Sequence, residues 1–176
     1  LLPSMRLRLA RPEQIVDLNR VQGLAGIAVN GQTVEIRAMT RHADVAANPQ
    51  VQAAIPALAE LAGGIGDRQV RARGTIGGSL ANNDPAACYP SAVLGLGATV
   101  VTDRREIAAD DFFQGMYTTA LGSGELITAV RFPVPKKAAY LKFKQPASRF
   151  ALVGVFVAQT DSGVRVAITG AGLSVF

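Results

Sequence analysis

The sequence predicts an α+β fold on three observations. β-rich runs recur along the chain, one of them alternating strictly over residues 33–38. Asn48-Pro49 and Asp84-Pro85 each open a stretch of helical character. Strands and helices are mixed without the regular alternation of a doubly wound sheet.

Taken in order, residues 15–18 (Ile-Val-Asp-Leu) form a short β-rich run, and Asn30-Gly31 is a hairpin dipeptide. The half-buried strand 33–38 follows, so three short strands joined by turns suit the opening third. Asn48 is a helix N-cap, with Pro49 at the first helical position. Val51, Ile55, Leu58, Ala59 and Ala62 continue with helical spacing up to Gly63-Gly64, and Pro56 either bends this helix or delays its start. Residues 73–84 read as a polar, glycine-rich loop. Asp84-Pro85 repeats the capping signal, and 86–96 form a second helix ending at Gly97. Residues 98–102 are a strand with 103–105 as its turn, and 126–133 are β-rich. Residues 133–137, Pro-rich and charged, form a linker. Beyond it 140–144 is a strand, and 150–160 and 164–170 make a hairpin around Asp161-Ser162-Gly163.

Composition limits the function classes. Of 176 residues 49% are hydrophobic and 18% charged, a balance that supports a core and opposes disorder. The net charge of +5 admits nucleic acid, an anionic cofactor or an acidic partner. The densest basic run, Arg68-Gln69-Val70-Arg71-Ala72-Arg73, has no aromatic in or beside it, which argues against nucleic acid. Cys88 and His42 are the single Cys and His, so neither an intrachain disulfide nor a Cys/His metal site can form, and the lone thiol fits a reducing cytoplasm. No apolar stretch is long enough to span a bilayer, and no signal peptide is visible. The chain begins at Leu1 without Met and stops at Phe176 inside a strand-like run, so both ends read as cuts through a longer protein.

The informative segment is 65–90, IGDRQVRARGTIGGSLANNDPAACYP. Thr75-Ile76-Gly77-Gly78-Ser79 sets two glycines between hydroxyl side chains. Without Cβ atoms in the way, successive N–H groups can point into one concavity and bind anionic oxygens, with a diphosphate as the natural guest. The N-terminus of the helix after Asp84 lies close enough to add its dipole. Neither GxGxxG nor GxxxxGK[ST] is present, and by geometry alone such a pair is more often a tight turn than a phosphate cradle.

The run Gln69-Val70-Arg71-Ala72-Arg73-Gly74-Thr75-Ile76-Gly77-Gly78-Ser79, with Asp84-Pro85-Ala86-Ala87 after it, resembles the second FAD motif of the medium subunits of carbon monoxide dehydrogenase-like molybdenum hydroxylases, a segment that xanthine dehydrogenases carry in their flavin domain. Residues 1–8 resemble the stretch after that family's first glycine motif. Gly124-Glu125-Leu126-Ile127 and Phe132-Pro133-Val134-Pro135 resemble a later strand, and Phe143-Lys144-Gln145 and Arg149-Phe150-Ala151-Leu152-Val153 the start of its C-terminal domain. The resemblance implies an FAD-binding domain of the p-cresol methylhydroxylase type at 1–135, mostly its second subdomain and lacking the first glycine motif, followed at 138–176 by the beginning of a small α+β C-terminal domain.

On the same footing it places Thr75, Ile76, Gly77, Gly78 and Ser79 on the diphosphate and adjoining flavin, and Ile65 against the cofactor. Leu126 meets FAD through its backbone, and Lys144 is a basic residue near the flavin ring, unless it is only a solvated strand lysine. Asn82 lies near enough to the glycine loop to touch the cofactor. Ser79 stands where Asn is frequent, and Cys88 where a carboxylate is common near the flavin; the thiol is either a flavin neighbour or an inert core residue of the second helix. The Arg68, Arg71, Arg73 cluster steers the dinucleotide, docks a subunit or is a solvated face. His42 reads as a surface or capping residue, and Asp110-Asp111 as a helix start.

The implied function is electron transfer. Substrate is oxidised at a molybdenum cofactor in a large subunit, electrons cross 2Fe–2S clusters in a small subunit, and FAD in this chain passes them to an external acceptor. The lack of Cys clusters here agrees. A location in the cytoplasm or at the inner face of the membrane goes with it. A self-contained FAD-dependent oxidoreductase of the same fold and a non-catalytic interaction module remain as alternatives.

Overall fold

The computed structural model describes residues 5–176; the first half of the 1–8 motif, residues 1–4, lies outside the described residues. A 3-10 turn at Leu18–Arg20 precedes the first sheet. The strand expected at 15–18 is absent: Ile15 and Val16 find no neighbouring strand and stay 55% and 77% exposed. β1 (Ile27–Asn30) and β2 (Thr33–Arg37) form the expected hairpin, in which Asn30 pairs with Thr33 and Gly31 takes a φ of +58°.

Four short helices follow. α1 (His42–Ala47) has Arg41 as its N-cap without a side-chain hydrogen bond, so it carries no capping signal in the sequence. α2 (Pro49–Ala54) is capped by Asn48, whose side chain accepts from the N–H groups of Gln50 and Val51. Pro56 splits the helix expected from 48 onward. Ile55, immediately before it, leaves helical geometry (φ −140°, ψ 74°), and α3 (Pro56–Gly63) starts afresh. α4 (Arg68–Arg73) is capped by the Asp67 carboxylate, which accepts from Val70 N–H at 2.8 Å.

Two sequence expectations fail next. Residues 73–84 are not a loop: α5 (Ile76–Asn82) begins on the Thr75 N-cap and ends at Asn83, which sits in the left-handed region (φ 42°). Asp84 caps no helix. Its carboxylate closes a local turn onto Ala86 N–H at 2.9 Å, and the helix waits until α6 (Tyr89–Gly95). Then come β3 (Thr99–Thr102), β4 (Glu106–Ala108) and α7 (Ala109–Phe112), with Asp110 and Asp111 in its first turn as expected. The small pair β5 (Phe113–Gly115) and β6 (Thr118–Thr119) precedes β7 (Ile127–Pro133). Beyond 134–136 run β8 (Lys137–Lys144), β9 (Ala151–Thr160) and β10 (Gly163–Thr169).

One sheet has the order β1-β2-β7-β3-β4 and another the order β10-β9-β8, both antiparallel. α5 packs on β2 and β7 of the first sheet, α3 on β8 and α6 on β9 and β10 of the second. Val34, Ile36, Phe132, Leu58, Leu61, Val93 and Phe156 therefore belong to one buried cluster that runs from sheet through helices to sheet.

Two contacts fix this arrangement. Gly77 N–H donates to Ala38 O at 2.8 Å, and a Cβ on Gly77 would lie 2.6 Å from Ala38 Cβ and 2.9 Å from its carbonyl oxygen. At the far edge the buried Glu125 carboxylate accepts from Thr102 Oγ1 (2.8 Å), Arg105 Nε (3.0 Å) and Gly122 N–H (2.7 Å), joining the β3–β4 turn to the segment before β7. The Arg105 bond, with those from Gly122 and Thr102, lowers the Glu125 carboxyl to about 2. His42 is buried beneath α4 with its ring 5.2 Å from that of Tyr89; burial without a partner for Nδ1 lowers it to about 4.

Gly77→Ala is expected to destabilise the chain by about 1–3 kcal/mol, the range for an overpacked site, read as a lower denaturation midpoint. Both titrating groups are depressed in the folded state, so each gives stability at higher pH that disappears on acidification. His42 acts as pH falls from 6.5 to about 4 and Glu125 from 4.5 to about 2. Denaturant titrations across pH should show both limbs, His42→Leu losing the first and Glu125→Gln the second.

Candidate functional site

The chain entering α5 builds one wall of a cleft. α4 ends where Gly74 N–H donates to Val70 O; Gly74 O accepts from His42 N–H at 3.0 Å, and Arg41 and Thr75 form an isolated antiparallel bridge. Gly74 has no room for a side chain, since a Cβ there would lie 2.4 Å from His42 Nε2. Thr75 Oγ1 then caps α5 by accepting from Gly78 N–H at 3.2 Å. A second wall comes from the loop after α3, where Gly66 adopts a φ of +48° and exposes Ile65 to the opening. The third is the segment 147–150 between β8 and β9.

Between them lies a cleft of about 730 Å³, within the range of small-molecule and cofactor sites. Thr75, Ser79 and Asn82 offer hydroxyl and amide groups; Ile65, Val70, Ala86, Ala87 and Phe150 offer apolar surface. Arg73, Lys142 and Arg149 bring three cations, against the carboxylates of Asp67 and Asp84. Hydroxyl groups, apolar surface and a cationic excess in one cleft suit an amphipathic dinucleotide such as FAD.

Six of the ten expected cofactor-binding residues come together here: Ile65, Thr75, Gly78, Ser79, Asn82 and Cys88. Ile76 and Gly77 line no part of it, being buried on the sheet side of α5. The expected nest of bare amides is also absent. The N–H groups of Ile76, Gly77, Gly78 and Ser79 bond to Thr40 O, Ala38 O, Thr75 Oγ1 and Thr75 O respectively. The two glycines thus have different tasks, Gly77 allowing contact with the core and Gly78 leaving the cleft floor open. Leu126 lies apart, its N–H donating to Asp103 Oδ1 and its carbonyl accepting from Asp103 N–H.

Lys144 does not line the cleft. The register of β8 against β9 shifts between Phe143 and Lys144, so the two-residue period breaks there. Lys144 borders a smaller cleft of about 420 Å³ with Arg71 and Arg149. Lys142 enters the main cleft instead, Nζ donating to Gly64 O at 3.0 Å and to Cys88 Sγ at 3.2 Å. Cys88 is buried and precedes α6 as its N-cap, yet its position borders the cleft. His42 also lines the cleft, against its reading as a surface residue. Arg73 was visible as part of a basic run and Arg149 as part of a motif of the C-terminal domain, but neither was read as a cleft residue, and nothing in the sequence marked Lys142; the lysine's parity on its strand becomes informative only once the bulge is known.

The family described as the FAD binding domain in molybdopterin dehydrogenase matches residues 1–135. The carbon monoxide dehydrogenase medium chain of Hydrogenophaga pseudoflava is 40% identical over 181 residues, covering 96% of this chain and 63% of the relative. The glyceraldehyde dehydrogenase medium chain of Sulfolobus acidocaldarius is 37% identical over 164 residues, covering 90% and 58%. Among solved structures, carbon monoxide dehydrogenase from Hydrogenophaga pseudoflava superposes with a TM-score of 0.92 at 38% identity, over 99% of this chain and 65% of that one. Quinoline 2-oxidoreductase from Pseudomonas putida 86 gives 0.91 at 29%, over 99% and 65%. The chain thus spans less than two thirds of the length of these relatives. By the family match and these identities, the chain belongs to the family of FAD-binding domains in molybdopterin dehydrogenases.

Proposed function

We propose that this chain binds FAD in the cleft walled by α5, the 64–66 loop and residues 147–150, and acts as the electron-transfer unit of a molybdenum hydroxylase. The observation that carries the reading is the convergence of Thr75, Gly78 and Ser79 with Ile65 and with Arg73, Lys142 and Arg149 on one cavity. FAD, when bound, supplies one- and two-electron chemistry. The residues of this chain hold it. Thr75, Ser79 and Asn82 offer hydrogen bonds to phosphate oxygens, the cations offset diphosphate charge, and Ile65, Val70 and Phe150 keep water from the ring.

In this reading substrate oxidation takes place at the molybdenum cofactor of a large partner subunit. Electrons reach this chain through the 2Fe–2S clusters of a small one and leave to an external acceptor. Relatives named as medium chains or FAD-subunits of dehydrogenases and of a hydroxylase with different substrates support it, since the substrate differs while this kind of chain recurs. No described helix is long and apolar enough to cross a membrane; the free thiol of Cys88 supports a reducing cytoplasm. Residues 138–176 open a second domain. The outward face of their sheet carries Leu141 and Phe143 of β8, 78% and 72% exposed, with Val153 and Val157 of β9 and Val164 and Val166 of β10 on the same face, an apolar surface that suits the beginning of a further domain.

The full-length protein, purified without added cofactor, is expected to be yellow and to release FAD on denaturation. A colourless full-length protein that also fails to take up FAD overturns the reading. Gly78→Val is expected to weaken FAD retention at least tenfold, about 1.4 kcal/mol, by filling the cleft floor, with a smaller loss of stability than the same change at Gly77. Flavin titration and thermal melts of both variants separate the two effects.

A further inference from the structure

We infer that Arg71 is a positioning residue of the flavin cleft: its guanidinium fixes the 64–66 turn so that Ile65 forms a wall of the cavity. The inference rests on the FAD reading above. The three arginines of the basic run do different things in the fold. Arg68 opens α4 and is exposed, and Arg73 lines the main cleft. Arg71 borders the smaller cleft instead. The turn is therefore a partition, with Ile65 on the main cavity, Arg71 on the smaller one and Gly66 bordering both.

The contact that fixes the partition is specific. Arg71 Nη1 donates to Ile65 O at 3.0 Å and to Gly66 O at 3.3 Å. Two successive carbonyls can converge on one nitrogen because Gly66 lies in the left-handed region, at a φ of +48°. Glycine is needed there for a second reason, since a Cβ would lie 2.9 Å from Val70 Cβ. The partition is also short of other support. It leaves α3 at Gly63 and reaches the Asp67 cap of α4 directly after Gly66. Ile65 N–H still bonds back to Ala62 O, at 3.3 Å, but the Ile65 and Gly66 carbonyls lie beyond the end of α3. A charged donor makes the stronger kind of hydrogen bond, so Arg71 is the tie that sets where this stretch lies. It acts from behind the wall, on backbone atoms, and leaves the Ile65 side chain to the ligand. An apolar wall helps binding only while it touches the ring, because a small gap forfeits much of the dispersion attraction.

The test is an FAD titration of the full-length protein after removal of its flavin, with thermal melts to confirm folding. Ile65→Ala is expected to loosen FAD about tenfold through lost apolar contact. Arg71→Gln is expected to loosen it about tenfold as well, through loss of the two hydrogen bonds. Residues that act through one wall do not add, so the variant carrying both changes is expected to lose about tenfold rather than about a hundredfold. Arg71→Lys keeps the charge, but its Nζ ends one bond short of the Nη1 position, and it is expected to behave as Arg71→Gln does. Additive losses in the double variant, or unchanged FAD affinity in either single variant, overturn the inference while leaving FAD binding intact. Full retention in Arg71→Lys beside a loss in Arg71→Gln also overturns it, and makes the arginine a charge that steers the dinucleotide. If Arg71→Gln does not fold, Arg71→Lys carries the same cycle; failure of both to fold makes Arg71 a residue of the fold and overturns the inference too. Wild-type protein that takes up no FAD overturns the functional reading itself and is recognised before any variant is measured.

Discussion

The contact between Gly77 and Ala38 governs the site. Gly77 N–H meets Ala38 O at 2.8 Å, and the space is too small for any side chain at residue 77. This brings the first turn of α5 against the end of β2, where Ala38 N–H in turn donates to Thr128 O of β7. Only then does the opposite side of the same turn, carrying Thr75, Gly78 and Ser79, form the cleft floor. A glycine pair that looks like a ligand-binding device is therefore half a packing device, because the core takes one residue and the cavity takes the next.

The second constraint runs across the cleft. Lys142 leaves the second sheet and reaches both the end of α3 and the start of α6, so a single side chain ties three elements that border the cavity. Buried α3 and α6 already pack on that sheet through Leu58, Leu61, Val93 and Phe156. Apolar burial supplies the bulk of the cohesion, and the lysine decides which polar group faces the opening. His42 lines the cleft with its ring against that of the buried Tyr89, burial holding His42 low and pushing the Tyr89 hydroxyl up.

Much of the fold was legible because its signals are local. The β1–β2 hairpin followed from Asn30-Gly31, α2 from the Asn48 cap, and the β9–β10 hairpin from apolar runs about a turn. α1 was not legible, since Arg41 caps nothing, and α5 was hidden because Gly77 and Gly78 are poor helix formers whose place in a helix depends on Ala38 and Thr75. The Asp84-Pro85 signal misled, because an Asp that closes a turn and an Asp that caps a helix look alike in sequence.

By itself the sequence determined the fold class, the family and the segment that would matter: an ordered set of motifs from Gln69 to Val153 survives in one dimension, since each is a run of neighbouring residues. Tertiary structure alone decided which member of each pair faces the cavity, Gly78 over Gly77 and Lys142 over Lys144. The reason is geometric. Which side of a helix or strand looks inward depends on what packs behind it and on where a bulge breaks the period, and both are set by residues far away in the chain.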